Sequence, residues 1–154
     1  FGAEHIWVST FHSTCVRILR RHIDKLGYGN SFTIYDADDQ KSLIKQICKQ
    51  YKIDTKMMPE RRIINEISSA KDEFMTPSEY ETRHQYDFKK KKIAQIYKEY
   101  QKQLKANNAL DFDDLIFKTV ELFSSIQKCL IIIRRDFVIS WLTSIRIQIR
   151  SSSS

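Results

Sequence analysis

The chain begins with a short apolar run that is followed by small polar residues. Residues 6–8 are apolar and β-prone, and residues 9–13 supply hydroxyl groups, an imidazole and an aromatic ring. Apolar residues then recur at helical spacing, at Cys15, Val16, Ile18, Leu19, Ile23 and Leu26. Gly27 lies where a glycine often ends a helix. The pattern predicts a strand, a polar turn and a helix.

The next part of the chain has the pattern of a helical subdomain. Residues 32–35 are β-prone, and Asp36 is a suitable N-cap for a helix with acidic residues in its first turn. Pro59 suits the first position of a second helix. Thr76 and Glu79 have capping-box spacing, with a proline between them, which predicts a short third helix.

A long helix is predicted over about residues 88–105, and Asn107 and Asn108 then end it. Asp111 is a suitable cap for the helix that follows. The predicted core positions are Leu43, Ile44, Ile47, Cys48, Ile63, Ile64, Ile67, Ile93, Ile96, Tyr97, Tyr100, Leu104, Leu115, Ile116, Val120 and Leu122. The chain is therefore expected to be mainly α-helical.

The charge of the chain is weaker support for nucleic-acid binding than it first suggests. The net charge is +7, but five of the 26 basic residues and one of the 19 acidic residues lie from residue 126 onward. The rest of the chain has 21 basic and 18 acidic residues, an excess of only +3. Lys89, Lys90, Lys91 and Lys92 fit either a solvated helix face or a surface that contacts the DNA backbone.

The three cysteines support neither a zinc site nor a disulfide framework, because they are far apart and form no C-x-x-C pair. Reduced thiols in a cytoplasmic protein are expected. No stretch is long enough and free enough of charge to span a membrane. The first residues do not have the pattern of a signal peptide, and the absence of an initial Met suggests a piece of a longer protein.

Two clusters carry candidate chemistry. Thr10, Phe11, His12 and Ser13 follow the predicted strand, where hydroxyl groups and free helix N–H groups suit phosphate oxygens. A capped surface helix, with Phe11 packed in the core, is the alternative. Residues 111–114 supply three carboxylates, but the glycine and distal glutamate of a calcium loop are missing. Helix N-terminal acids are therefore favoured over a metal site.

Several motifs give the chain a specific family resemblance. The stretches STFHSTCVRILRR, FTIYDADDQ, YQKQLKANNALDFDDLI and, more loosely, ISSAKDEFMTPSEY occur in this order. Over residues 3–123 the chain resembles the first RecA-like domain of superfamily-one DNA helicases of the UvrD/PcrA/Rep type. The resemblance implies an ATP-dependent enzyme that translocates on single-stranded DNA and unwinds duplex DNA in replication or repair.

The resemblance also implies a domain layout. Residues 1–31 would be part of a RecA-like α/β domain of the P-loop NTPase class, and residues 32–108 a helical insertion subdomain. Residues 109–123 would re-enter the RecA-like domain. Thr10, Phe11 and His12 match the family motif that contacts single-stranded DNA, whereas Asp111, Phe112, Asp113 and Asp114 match the motif at the re-entry point.

The motifs that would bind ATP and Mg²⁺ do not occur in the printed chain. There is no G-x-x-x-x-G-K-S/T phosphate loop, since the glycines are Gly2, Gly27 and Gly29. The family's D-E-x-Q-D motif is also absent in frame. The fragment is therefore expected to bind no cofactor and to have no catalytic residues of its own, whereas the longer parent would use ATP and Mg²⁺.

Residues 124–154 are predicted to be an out-of-frame translation. They are rich in isoleucine and arginine and show no clear helical period. The shifted reading frame joins the last base of each codon to the first two bases of the next codon. In that frame the codons of residues 141–149 can encode Val-Asp-Glu-Tyr-Gln-Asp-Thr-Asn, which contains the missing family motif. This agreement predicts a frameshift near Ser124. A genuine basic amphipathic tail is the alternative.

Two classes of function thus stay open at the level of sequence. The first is a fragment of a DNA helicase, whose partners would be single-stranded and duplex DNA and the missing remainder of the enzyme, with no membrane. The second is a non-enzymatic helical module for DNA binding or protein interaction. A helicase–nuclease fusion subunit is a lesser variant of the first.

Overall fold

A computed structural model describes residues 2–127 and 133–153. The structure is mainly helical with a small two-stranded sheet, which confirms the predicted fold class. The chain divides into two compact units. One is Thr33–Asp113, and the other is formed by the described residues on either side of it. The predicted domain limits at residues 31, 108 and 123 stay a prediction.

The predicted strand at residues 6–8 is wrong. These residues lie inside helix α1, Gly2–His22, and so do the polar residues expected to form a turn. A parallel strand needs a neighbouring strand for its N–H and C=O groups. In the part of the chain that the structure describes, the two strands pair only with each other. A helix satisfies those groups internally and does not depend on such a neighbour.

The end of the first helical segment agrees with the sequence. A short 3-10 helix, Ile23–Leu26, follows α1 and ends at Gly27, whose φ of 84° lies in the left-handed region that glycine tolerates. The Arg20 guanidinium then donates to the carbonyl oxygens of Asn30 at 3.1 Å and Phe32 at 2.7 Å. It also lies 4.1 Å from the centre of the Phe32 ring, which fixes the returning loop on the helix.

The C-terminal part contains two helices. Helix α6, Phe112–Gln127, buries the predicted core residues Leu115, Ile116, Val120 and Leu122. Helix α7, Ile133–Ser153, was not predicted, because its sequence has no regular apolar stripe. Leu142 is nonetheless buried, and the Trp141 ring makes an edge contact with Phe11 at 5.6 Å.

The other unit is built on two short parallel strands. Strand β1, Thr33–Tyr35, pairs with β2, Ala109–Asp111, in the register Thr33↔Ala109. The pairing is extended by the Thr33 N–H, which donates to the Asn108 carbonyl at 2.9 Å. The sequence predicted β1 and missed β2, which has only three residues and directly precedes a helix.

Four helices complete this unit: α2 Ala37–Gln50, α3 Glu60–Asp72, α4 Pro77–Arg83 and α5 Phe88–Ala106. The Asp36 and Thr76 caps are confirmed, each as a reciprocal capping box. Pro59 is the N-cap of α3 and not its first residue, a shift of one position. The predicted core residues of α2, α3 and α5 are all buried except Ile64, which is half-buried.

Candidate nucleic-acid interface

The residues predicted to contact single-stranded DNA lie in the middle of α1 and not at its start. Thr10 and Ser13 are exposed, His12 is half-buried and Phe11 is buried. The Thr14 hydroxyl donates back to the Thr10 carbonyl at 2.8 Å, as expected within a continuous helix. The expectation of free helix N–H groups here is therefore wrong, since a mid-helix position uses those groups in its own ladder.

The Phe11 ring packs rather than presenting a face to solvent. Its exposed fraction is 6%, and it makes edge contacts with the rings of His12 at 6.3 Å and Trp141 at 5.6 Å. A base could not stack on a ring covered in this way. The exposed hydroxyl groups of Thr10 and Ser13 and the His12 imidazole are the groups of this cluster that suit a phosphate.

The lysine run lies at the start of α5. Lys89, Lys91 and Lys92 are exposed, whereas Lys90 is half-buried. The Asp87 carboxylate caps the helix by accepting from the N–H groups of Lys89 at 3.0 Å and Lys90 at 3.2 Å. These bonds, the Lys90 one first, hold the pKa of Asp87 below its usual value. The lysine run therefore lies at the N-terminal end of a helix, where the Asp87 carboxylate offsets part of the positive charge.

Two exposed aromatic side chains adjoin this run, and neither was predicted from the sequence. Tyr86 lies in the turn before α5 and is 94% exposed, and Phe88 is the first residue of the helix and is 73% exposed. The Lys92 ammonium lies 4.7 Å from the centre of the Phe88 ring. The sequence does contain a signal for this exposure, since Tyr86 precedes the helix and Phe88 falls outside the apolar stripe of α5.

Asp111 lies at the centre of a buried polar network. Its Oδ2 accepts from Lys71 Nζ at 2.6 Å, Tyr100 OH at 2.8 Å and Gln40 Nε2 at 3.0 Å. The side chains of Lys71 and Asp111 are both fully buried. The network joins α2, α3 and α5 to the end of β2. The carboxylate therefore has a structural role within this unit.

The other members of the acidic motif open α6. Phe112 is half exposed, and Asp113 and Asp114 follow it in the first helical turn, where acids are favourable. Asp113 Oδ2 accepts from the Ser68 hydroxyl at 2.9 Å. Within residues 2–127 and 133–153, no group of acidic, histidine or cysteine side chains is arranged to hold a metal ion.

Lys71 was missed because its sequence position resembles that of a core residue. It follows Ile63, Ile67 and Ala70 on the buried face of α3, where a lysine is rare. A cation within an apolar stripe indicates a buried acidic partner, since an unpaired buried charge is strongly unfavourable. This signal is visible in the sequence, although it does not reveal that the partner is Asp111.

The cysteines do not form a reactive site in the described residues. Cys15 and Cys48 are both buried and free, and burial is the main reason that the pKa of each thiol is raised. A raised pKa keeps the thiol protonated and therefore a poor nucleophile. Cys129 lies outside the described residues.

Comparison with known proteins decides which family these motifs belong to. The family model described as UvrD/REP helicase N-terminal domain matches residues 2–139. The chain belongs to the UvrD/REP helicase family. The match begins at Gly2, the first residue of α1, and ends within α7. It therefore extends beyond Phe123, the last residue of the motifs recognised in the sequence.

Among the UvrD/REP helicases, the chain is similar to individual proteins named PcrA. The chain is 48% identical over 128 residues to "ATP-dependent DNA helicase PcrA" of Staphylococcus epidermidis strain RP62A, and 47% identical to that of Staphylococcus aureus strain Mu50. Each alignment covers 83% of this chain but 17% of the relative. The chain thus spans about a sixth of the length of the curated relatives it matches. None of the helices among the described residues is long and apolar enough to cross a membrane.

Proposed function

We propose that this chain is a segment of an ATP-dependent DNA helicase that translocates on single-stranded DNA and unwinds duplex DNA in replication or repair. The observation that supports this most strongly is the family match over residues 2–139, together with relatives named as ATP-dependent DNA helicases. The segment would act in the cytoplasm as part of the longer enzyme, together with the domains that complete the DNA and nucleotide sites.

In this proposal the segment contributes DNA contacts and not nucleotide chemistry. The parent enzyme would bind ATP and Mg²⁺, and hydrolysis of the ATP would supply the free energy for movement along DNA. The printed chain has no phosphate loop to hold a triphosphate, so no step of ATP hydrolysis is assigned to its residues.

Thr10, His12 and Ser13 are proposed to contact the phosphates of a single strand. Thr10 and Ser13 are exposed, and His12 is half-buried beside the Phe11 ring. A hydroxyl or an imidazole N–H can donate to a phosphate oxygen, and such contacts set position without reading sequence. Phe11 would hold α1 in place through its packing, and Asp111 would hold β2 against the helices of its own unit.

The test is fluorescence anisotropy with a labelled oligothymidylate at low salt. We expect weak binding by the 154-residue chain, which Thr10→Ala/His12→Ala weakens further, by about tenfold. The matched control is Thr55→Ala/His22→Ala, which removes the same two side-chain types from exposed positions elsewhere. Equal loss in both double variants, or none in either, would contradict the assignment of residues 10–13 to the DNA contact.

A further inference from the structure

The exposed side of α5 carries a straight row of lysines. Lys91, Lys98, Lys102 and Lys105 are all exposed and are separated by seven, four and three residues. At about 100° per residue these positions fall within about 60° of one another around the helix, and they extend over about 21 Å of its length. We call these four residues the lysine ridge. Their spacing places four exposed lysines along one side of the helix.

The acidic residue that lies within the ridge in sequence, Glu99, interacts with Lys102 and with two neutral side chains. Glu99 is half-buried and accepts from Gln103 at 3.0 Å and Tyr51 at 3.3 Å, and these contacts, with Lys102 nearby, hold its pKa low. The first turn of α5 contains no acidic residue. Lys89, Lys91 and Lys92 add positive charge at the N-terminal end of the helix, where the dipole is also positive and Asp87 is the capping carboxylate. This concentration of charge favours an extended polyanion.

The aromatic pair lies at the beginning of the ridge. Tyr86 and Phe88 are exposed far more than aromatic rings usually are, at 94% and 73%. Phe88 already has one cation near its ring, that of Lys92 at 4.7 Å. Exposed rings beside a lysine track are the combination with which proteins hold single strands, since the lysines meet phosphates and the rings stack on bases. A duplex offers its phosphates but keeps its bases stacked internally.

We infer that a single strand of nucleic acid lies along the lysine ridge, with unpaired bases stacked on Tyr86 and Phe88. This inference rests on the proposed function in assuming that DNA is a partner, and it adds a second contact on the helical unit, separate from residues 10–13. The strand's phosphates would pair with Lys91, Lys98 and Lys102 as point charges, so the binding would be insensitive to base sequence.

Three fluorescent probes separate the contributions: an oligothymidylate of about 15 nucleotides, an abasic oligonucleotide of the same length and a blunt duplex. The ridge variant is Lys91→Gln/Lys98→Gln/Lys102→Gln in the full chain. The matched control is Lys41→Gln/Lys45→Gln/Lys49→Gln, which removes three exposed lysines at helical spacing from α2. Circular dichroism verifies that both triple variants keep their helix content.

We expect the ridge variant to bind oligothymidylate at least tenfold more weakly and to lower the slope of log affinity against log salt by about 2. The α2 control should change affinity by less than about threefold. Tyr86→Ala/Phe88→Ala should weaken oligothymidylate binding by about tenfold and leave the abasic probe unaffected. The wild-type chain should bind the single strand more tightly than the duplex.

Three results would overturn the inference: equal losses in the two triple variants, an aromatic variant that behaves like the wild type, or preference for the duplex. The Thr10→Ala/His12→Ala variant separates this inference from the proposed function. If that variant binds normally while the ridge variant does not, the ridge stands and residues 10–13 are not the contact. If only the Thr10→Ala/His12→Ala variant is weakened, the ridge is excluded.

Discussion

Replacing Lys71 by Met tests whether the buried network stabilises the helical unit. The substitution removes the cation 2.6 Å from Asp111 Oδ2 and leaves a fully buried carboxylate with two neutral donors, Tyr100 at 2.8 Å and Gln40 at 3.0 Å. Breaking one partner of a buried ion pair lowers the free energy of unfolding by about 3–5 kcal/mol. Because two donors stay in place, we expect a loss of about 3 kcal/mol.

The double variant Lys71→Met/Asp111→Asn distinguishes loss of the pair from loss of packing. A neutral amide oxygen can still accept from Tyr100, and no buried charge is left without its counter-charge. We therefore expect the double variant to regain about 1–2 kcal/mol relative to Lys71→Met. Arg83→Met is the control within the same unit, since its ion pair with Glu73 is more than half exposed and should contribute below about 1 kcal/mol.

Urea unfolding followed by circular dichroism gives these free energies, and hydrogen exchange in α3 and α5 assigns them to the helical unit. The reasoning is refuted if Lys71→Met loses no more stability than Arg83→Met. A second contradicting result would be additivity, in which the double variant loses as much stability as the two single variants Lys71→Met and Asp111→Asn lose in sum. The two side chains would then be energetically uncoupled.

Four further predictions concern two helix caps, ATP turnover and the tail. The hydrogen bond from the Asp39 N–H is the main reason that the pKa of Asp36 is lowered in the folded state. The Asp36 carboxylate therefore stabilises the fold fully above its unfolded pKa of about 3.9, and this stabilisation is lost as pH falls through the lower folded pKa. In Asp36→Asn, the urea midpoint should depend less on pH in this acid range. Thr76→Ala should lower the unfolding free energy by about 1 kcal/mol in the same assay. The purified chain should release no phosphate from ATP, with or without single-stranded DNA, and turnover in a clean preparation would contradict this. Hydrogen exchange should be slow in α2 and α5. It should be fast after Ser125, because residues translated out of frame have not been selected to pack. Protection of α7 would contradict the frameshift, which resequencing of the coding DNA across codons 122–150 would then check.

Elements stabilised by local interactions were predictable from the sequence. Asp36 and Thr76 cap their helices through contacts three residues away, and the apolar stripe of α5 repeats at the helical period. Such features depend on neighbours along the chain, which the sequence displays directly. The motif residues 10–13 and 111–114 were likewise visible as patterns, and the family match agrees with the resemblance they carry.

Features that depend on distant partners were not predictable in the same way. An apolar, β-prone run at residues 6–8 has the composition of a strand, yet it lies in α1, since a strand forms only where another strand can pair with it. Strand β2 exists for the converse reason, because β1 pairs with it across a separation of more than 70 residues.

The sequence by itself therefore determined the family, the helices of the unit Thr33–Asp113 and the buried sides of α2, α3 and α5. Only the tertiary structure decided which strands pair, that Lys71 meets Asp111, and that Phe11 is covered whereas Tyr86 and Phe88 are exposed. The physical reason is the distance along the chain between the residues that interact. Caps and stripes arise from contacts within one or two helical turns, whereas burial of a charge or a ring depends on which distant segment packs against it.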